Sequence, residues 1–453
     1  MNGPVDSGLA ARIAEIEREI LSRAPEHDIV PTLDRVAAVL DMLDRPQDTF
    51  RVVHITGTNG KTSTTRIVEA LLREHGLRTG RFTSPHLHSM RERICVDGHP
   101  VAAEVLVETW DELRPIIALQ DAASQAAGGP RLTFFEVLVV LAYAVFADAP
   151  VDVAVVEVGM GGRWDATNVA AGEVAVITPV DIDHTHFLGP DIESIAAEKV
   201  GIIKPGAAVV TGEQAPEVMD LIDQRCEQVG ARRYAAGLDF GITSREVALG
   251  GQLVSLRGIA DRYDDLFVPL HGPHQGDNAA LAVAAVEMFL GAGERRLDVD
   301  TVRAGLAAVT SPGRLEIVRR SPTILVDAAH NPHGMAALRD ALADAFSFAR
   351  LVAVVAIFAD KDAGAMLDLL EPAVNHVVVT RNSSPRSADP AELGATAAEI
   401  FGADRVSVIP SLPDAIEAAV TIAESEGLGG GVVATGSVVT AADVRLLLGV
   451  TDS

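Results

Sequence analysis

Short runs rich in valine and isoleucine recur along the chain, separated by stretches in which apolar residues return every three or four positions. In the first two-thirds these runs are RVVHITG (51–57), VDVAVVEVG (151–159), VAVITPV (174–180) and AAVVTGE (207–213). In the last third they are TILVDAAH (323–330), LVAVVAIF (351–358), HVVVTR (376–381), VSVIP (406–410) and GVVATGS (431–437). Near-continuous apolar strands between helices predict parallel sheets covered on both faces. Ligands of such sheets sit beyond the carboxyl ends of the strands, where most of the chemistry-bearing residues fall. The helical pattern that ends in AAVTSPGRLEIV (307–318) gives way to a new strand series. A division into 1–308 and 309–453 is therefore expected. Internal repeats and low-complexity tracts are absent.

The stretch HITGTNGKTSTTRIVEALL (54–72) combines a buried strand, a turn and an amphipathic helix with Val68, Leu71 and Leu72 on one side. The free N–H groups of a helix start and its dipole make such a turn an anion site. Thr58, Asn59 and Gly60 form the turn, Lys61 can reach terminal phosphates, and the hydroxyl of Thr62 or Ser63 can approach Mg²⁺. The match to G-x-x-x-x-G-K-[ST] is imperfect, because Ile55 occupies the first glycine position. The competing reading is a plain Gly/Thr-rich turn with an incidental lysine. The complete strand–turn–helix context favours nucleotide binding.

Composition narrows the partners. The chain has 453 residues, 48% of them hydrophobic, and a formal net charge of −26, so a nucleic acid polyanion is repelled by the overall field. A small anion is not, since a few converging cations override that field locally. Two cysteines, Cys95 and Cys226, make no disulfide framework. No signal-peptide h-region and no run of about 18 apolar residues is present. A cytoplasmic protein with neither a membrane nor a nucleic-acid partner is expected.

Two further strand ends carry acids. VVEVGMGGRWDATN puts Glu157 at the end of a buried strand, well placed for Mg²⁺. The alternative is a buried acid neutralised by Arg163. Trp164 stands where the third glycine of a dinucleotide fingerprint belongs, which rejects that motif. PVDIDHTHFLG brings Asp181, Asp183, His184 and His186 together, but no separate ligand cluster supports zinc.

The turn TGTNGKTS resembles that of the Mur ligase superfamily, the ATP-dependent amide-forming ligases. The resemblance to folylpolyglutamate and dihydrofolate synthases extends to FTSPHL (82–87), EVGMGGRWDATN (157–168), DHTHFLG (183–189), AAEKVGIIKPG (196–206), HQGDNAALA (274–282), PGRLE (312–316) and DAAHNPHG (327–334). It implies an α/β fold: a P-loop ATPase domain with a mostly parallel sheet, followed by a smaller C-terminal Rossmann-like α/β domain. It also implies ATP and Mg²⁺ as cofactors, with Ser84, Glu157 and His184 on the metal. Asn278 would contact adenine, Arg314 the phosphates and Asp327 the ribose, while His330 would line the cleft as a catalytic residue. The residues' own chemistry leaves alternatives: Asp327 as a helix N-cap, Arg314 paired with Glu316, His274 and His330 as turn residues.

About 50 residues precede the phosphate loop, too few for the nucleotide-sugar domain of the peptidoglycan-building Mur ligases. They include PTLDRVAAVLDML, read as a helix with Leu33, Val36, Ala37 and Leu40 along one side. In the folate enzymes the matching segment borders the pterin site. The resemblance thus assigns Thr32, Leu33, Asp34 and Arg35 to substrate, with Thr133, Phe134, Phe135 and Glu136 of LTFFE, and with Trp164, Asp165 and Ala166. Ordinary core packing is the competing role for one of the two phenylalanines. The implied reaction joins L-glutamate to dihydropteroate, to a reduced folate, or to both, through an acyl phosphate. The alternatives are a UDP-muramyl ligase and a P-loop switch that makes no bond. A monomer is expected.

Lys199 completes the set. If residues 192–203 are helical, Ile192, Ile195, Lys199 and Ile202 share one face. A buried ammonium is costly unless paired. A salt bridge to Glu157 or another acid is one solution. The resemblance implies another, carbamylation by CO₂ to give an anionic group that helps position magnesium.

Overall fold

The computed structural model describes residues 7–25, 30–425, 427 and 429–450. The chain divides into two compact units: Met1–Ser244, Ser255–Leu266 and Asp277–Ala308 form the first, and Arg245–Val254, Phe267–Gly276 and Val309–Ser453 the second.

The first unit is built on eight strands: β1 (Arg51–Thr56), β2 (Thr79–Phe82), β3 (Ile94–Val96), β4 (His99–Pro100), β5 (Val153–Glu157), β6 (Val174–Ile177), β7 (Ala208–Thr211) and β8 (Arg232–Ala235). Their order is β4-β3-β2-β5-β1-β6-β7-β8, so β1 lies centrally between β5 and β6. The pairs from β2 through β8 are parallel, and only the edge pairs β2–β3 and β3–β4 are antiparallel. Val52, Ala154 and Val156 pack with the helix Phe134–Asp148, whose apolar residues are almost all buried. Ala175, Ile177 and Val209 pack with residues of the helices Ile192–Lys199 and Pro216–Val229. Three further strands, β9 (Gly241–Ala248), β10 (Gly251–Arg257) and β11 (Arg262–Val268), form a sheet in the order β11-β10-β9.

The second unit carries β12 (Glu316–Arg320), β13 (Thr323–Val326), β14 (Arg350–Val355), β15 (His376–Val379), β16 (Val406–Val408) and β17 (Gly430–Thr435), ordered β12-β13-β17-β14-β15-β16. Only the edge pair β12–β13 is antiparallel. Successive side chains leave opposite faces of a strand, and the packing follows that rule. Leu325, Ala353, Val355, Val377 and Val379 join one core with the helices Pro332–Ala345, Ala363–Leu370 and Pro390–Phe401. Ile324, Val326, Val352, Val354 and Val378 join another with Leu412–Glu424 and Val438–Leu447. Burial on both faces is why these strands read as unbroken apolar runs.

All nine apolar runs are strands. The first sheet also has strands that such runs do not announce, because β2 is TGRF and its Arg81 is buried against Glu69. The helix at 34–42 begins at Asp34, with Leu33 as its N-cap. It buries Arg35, Val36, Val39 and Leu40 rather than the Leu33/Ala37 side. The helix from Ile192 ends at Lys199, and Ile202 falls in a 3-10 turn, so the expected face stops one turn early. Among the described residues no helix is long and apolar enough to cross a membrane.

Candidate functional site

β1 delivers the phosphate loop at its carboxyl end, and the helix Lys61–Glu74 starts directly after it. Gly60 is the helix N-cap with φ +86°, a left-handed conformation that suits glycine. A Cβ there would lie 2.6 Å from Asn278 Oδ1, so Asn278 closes against the turn. Thr64 Oγ1 reaches the same Asn278 oxygen at 3.4 Å. Thr58 is pinned by its side chain, which donates to Asp181 O at 2.9 Å and accepts from Asp181 N–H at 3.0 Å.

Lys61 Nζ donates to the carbonyls of Gly57 at 3.1 Å and Thr58 at 2.9 Å. Lys199, buried at 5% exposure, reaches the same Gly57 carbonyl at 2.7 Å. The buried lysine therefore rests on the phosphate turn, where a salt bridge was one expectation. Burial first, and the Lys61 charge second, push its pKa down to about 7, although Asp183 and Asp165 pull the other way.

Glu157 faces the start of the same helix. Its Oε1 accepts from Thr62 Oγ1 at 2.9 Å, and its Oε2 from Ser84 N–H at 3.2 Å. A carboxylate with hydroxyl-bearing residues beside it is an oxygen-rich donor set of the kind Mg²⁺ takes. His184 stands at φ 53° after Asp183, with its Nε2 3.8 Å from Asp183 Oδ2.

A pocket opens in the first unit between the segment 30–35, the start of the helix Phe134–Asp148 and the loop after β5. Of the expected substrate residues, Thr32, Arg35, Thr133, Phe135, Glu136, Trp164, Asp165 and Ala166 line it, with Gly159 and Met160. Leu33, Asp34 and Phe134 are not among its lining. Phe134 is a core residue at 6% exposure, whereas Phe135 packs on Phe82 with tilted rings, their centroids 5.8 Å apart. Arg35 and Glu136 form a two-pronged buried ion pair, at 2.8 and 3.2 Å. Glu136 also accepts Thr133 N–H at 2.7 Å as half of a capping box.

In the second unit, Asp327 lies just beyond β13. Its carboxylate accepts the N–H groups of Leu315 and Ala329, each at 2.8 Å. Burial raises its pKa, and the Arg314 charge opposes that shift. Asp327 is not a helix cap, because Asn331 caps Pro332–Ala345. Glu316 accepts from the fully buried Arg445 and from Gly313 N–H. His330 Nδ1 lies 2.9 Å from Ala328 O, a turn contact. His274 is held neutral, its pKa pushed to about 4 mainly by burial.

Two residues of the strand that leads into the turn, given no role from the sequence, complete the first unit's site. His54 and Thr56 project from the same face of β1 and fasten the loop after β5, His54 to Thr167 Oγ1 at 2.9 Å and Thr56 Oγ1 to Gly161 O at 2.8 Å. Two polar residues alternating on an otherwise apolar buried strand were the signal.

Comparison with known proteins closes the argument. Residues 313–438 match the Mur ligase glutamate ligase domain. A Mycobacterium tuberculosis protein, dihydrofolate synthase/folylpolyglutamate synthase, is 48% identical over 99% of this chain and 98% of its own length. The structure of Mycobacterium tuberculosis folylpolyglutamate synthase complexed with ADP superposes with a TM-score of 0.94 at 47% identity, covering 98% of this chain and 100% of that one. An FPGS–AMPPCP–folate complex covers 96% of this chain and 99% of its own, with a TM-score of 0.82 at 32% identity. Such likeness, held across both units, makes this chain a member of the dihydrofolate synthase/folylpolyglutamate synthase family, ATP-dependent glutamate ligases of the Mur ligase class.

Proposed function

We propose that this ligase adds L-glutamate both to dihydropteroate and to a reduced folate, in one pocket, as a cytoplasmic monomer. The observation that carries the reading is the loop after β5. Glu157 at its start is bonded to the first turn of the phosphate-loop helix, and Gly159, Met160, Trp164, Asp165 and Ala166 line the pocket. One short segment thus joins an ATP site to an organic-acid site. On this reading residues 1–308 supply the ATPase part and 309–453 the glutamate ligase part.

A carboxylate and an ammonium do not condense at useful rate, because oxide is a poor leaving group. The substrate carboxylate oxygen therefore attacks the γ-phosphorus of ATP and ADP leaves. The neutral glutamate amine then adds to the acyl carbon and its nitrogen gives up a proton, and the tetrahedral intermediate collapses to an amide as phosphate departs with the bonding pair. Lys61 would turn from its loop carbonyls to the β- and γ-phosphates, and Arg314 would neutralise charge on the transferred group. Thr58, Asn59, Gly60, Thr62 and Ser63 would cradle the phosphates, while Asn278 and Asp327 would hold adenine and ribose. His330 would stand near the transferred group. Ser84, Glu157 and His184 would hold Mg²⁺, which supplies charge neutralisation on the phosphates when bound. Lys199 would be carbamylated and help orient that ion.

The test is phosphate release with dihydropteroate and with a reduced folate, each with and without L-glutamate. Release that requires both acid and amino acid, with either pterin, is expected. Activity on one pterin only would overturn dual use. Inactivity on both, with turnover of a UDP-muramyl substrate, would overturn the folate assignment. Release without an amino acid would favour the switch reading.

A further inference from the structure

His54 is a fully buried imidazole in the strand that leads into the phosphate loop, and no step above uses it. Its Nε2 lies 2.9 Å from Thr167 Oγ1. Thr167 in turn gives both its hydroxyl and its N–H to one oxygen of Asp165, Oδ1, the N–H at 3.0 Å. The other oxygen, Oδ2, accepts Met160 N–H at 3.0 Å. Asp165 and Met160 both line the pocket.

The proton count is fixed by this chain. Thr167 has one hydroxyl proton and donates it to Asp165, so it can only accept from His54. His54 must then be the neutral tautomer with its proton on Nε2. Burial, with the Lys204 charge adding to it, holds the imidazole neutral, its pKa near 3. Among the described residues His54 Nδ1 is buried and meets no hydrogen-bond partner, which leaves Nε2 as the place for the proton.

The strand geometry explains why a histidine stands here. Val52, His54 and Thr56 alternate onto one face of β1. Val52 enters the apolar core, while His54 and Thr56 reach the loop that lines the pocket. Tyr143 OH holds the same loop from the helix side, donating to Thr167 O at 2.8 Å. Asp165 also caps the 3-10 turn Ala166–Val169 through the Thr167 N–H, so the same carboxylate fixes the loop's shape. The chain from His54 ends on the carboxylate of a pocket residue.

We propose that His54 and Thr167 are positioning residues that aim the Asp165 carboxylate, and with it the Gly159–Ala166 loop, at the acid substrate. The inference rests on the reading of this pocket as the organic-acid site. It names the phosphate-loop strand as part of that site's specificity, through a hydrogen-bond chain and not through contact.

The experiment is steady-state kinetics on the full chain with MgATP, L-glutamate and dihydropteroate, for four variants. Thr167→Val keeps the shape and removes the hydroxyl. Loss of a hydrogen bond to a charged group predicts an acid-substrate KM raised by about tenfold or more. His54→Leu is expected to raise the same KM several-fold. Both variants should leave the KM for ATP within about twofold, because the loop turn keeps its own bonds. The double variant should be no worse than Thr167→Val, since the two residues act in series. His54→Gln, whose amide nitrogen can stand where Nε2 stood, should restore most of the affinity.

A Thr167→Val enzyme with unchanged acid KM, additive effects in the double variant, or equal rises in the KM values for ATP and acid would overturn the proposal. Failure of His54→Gln to outperform His54→Leu would do the same. If the wild-type protein turns over no pterin acid at all, the pocket reading fails first, a result distinct from any of these.

Discussion

Replacing Lys199 with alanine tests the phosphate site and its chemistry together. A lysine with an ordinary pKa of about 10.5 is only ~0.03% neutral amine at pH 7. At the value of about 7 that burial and Lys61 impose on Lys199, roughly half of it is neutral, a gain on the order of 10³ in reactive nucleophile. On the proposed carbamylation, the amine lone pair would attack CO₂ and the nitrogen would lose a proton, giving a carbamate in place of a cation. The sign is set by the depressed pKa: above about 7 the amine is free to react, and below it protonation removes the nucleophile. Carbamate occupancy and turnover should therefore fall together as pH drops through that value. Loss of a group that orients metal ligands typically costs about 10–100-fold. Lys199→Ala should show at least that loss, partly recovered by acetate, and the wild-type enzyme should slow on CO₂ stripping and recover with bicarbonate. Carbon-13 NMR after equilibration with labelled bicarbonate should give a carbamate resonance that Lys199→Ala lacks. Full activity after prolonged CO₂ stripping, or an unmodified Lys199 in active enzyme, would refute the reasoning and leave the ligase assignment standing.

Lys61→Ala removes a loop cation at a helix start and should open no core cavity; phosphate release should fall by about 10²–10³-fold. Its melting midpoint should stay close to wild type, and near-normal release from the folded variant would remove the nucleotide role. Glu136→Ala strands the buried Arg35 guanidinium and breaks a capping box; removal of one partner of such a pair costs about 3–5 kcal/mol. A thermal melt should register that loss as a midpoint lowered by about 6–20 °C, and the acid KM should rise as well. A shift worth under about 1 kcal/mol would place this pair with weak surface bridges.

The class of fold and the strand–turn–helix around Lys61 were legible in local pattern alone. Strands buried on both faces must be apolar throughout, so Val352 to Val355 and Val153 to Val156 announce themselves without any knowledge of their neighbours. The Lys61 turn is equally local, because strand, turn and helix are consecutive in one segment. Where burial is satisfied by polar pairing, local pattern failed. TGRF forms β2 because Arg81 finds Glu69, twelve positions away, and β12 runs antiparallel at an edge. Segments 245–254 and 267–276 fold with the second unit, which no local periodicity encodes.

The site divides along the same line. Phe134 and Phe135 are neighbours with the same side chain, and only the packing of the helix they begin sends one to the core and the other to the pocket. Lys199 was legible as a lysine on an apolar face, but its partner, the Gly57 carbonyl, is 142 positions away. His54 reads as one polar residue in a strand until folding brings Thr167 to it from 113 positions off. Sequence fixes which groups must be buried, through periodicity that each segment carries alone. Which group meets which is decided by long-range packing, because a hydrogen bond depends on where two segments finally lie and leaves no periodic trace in either.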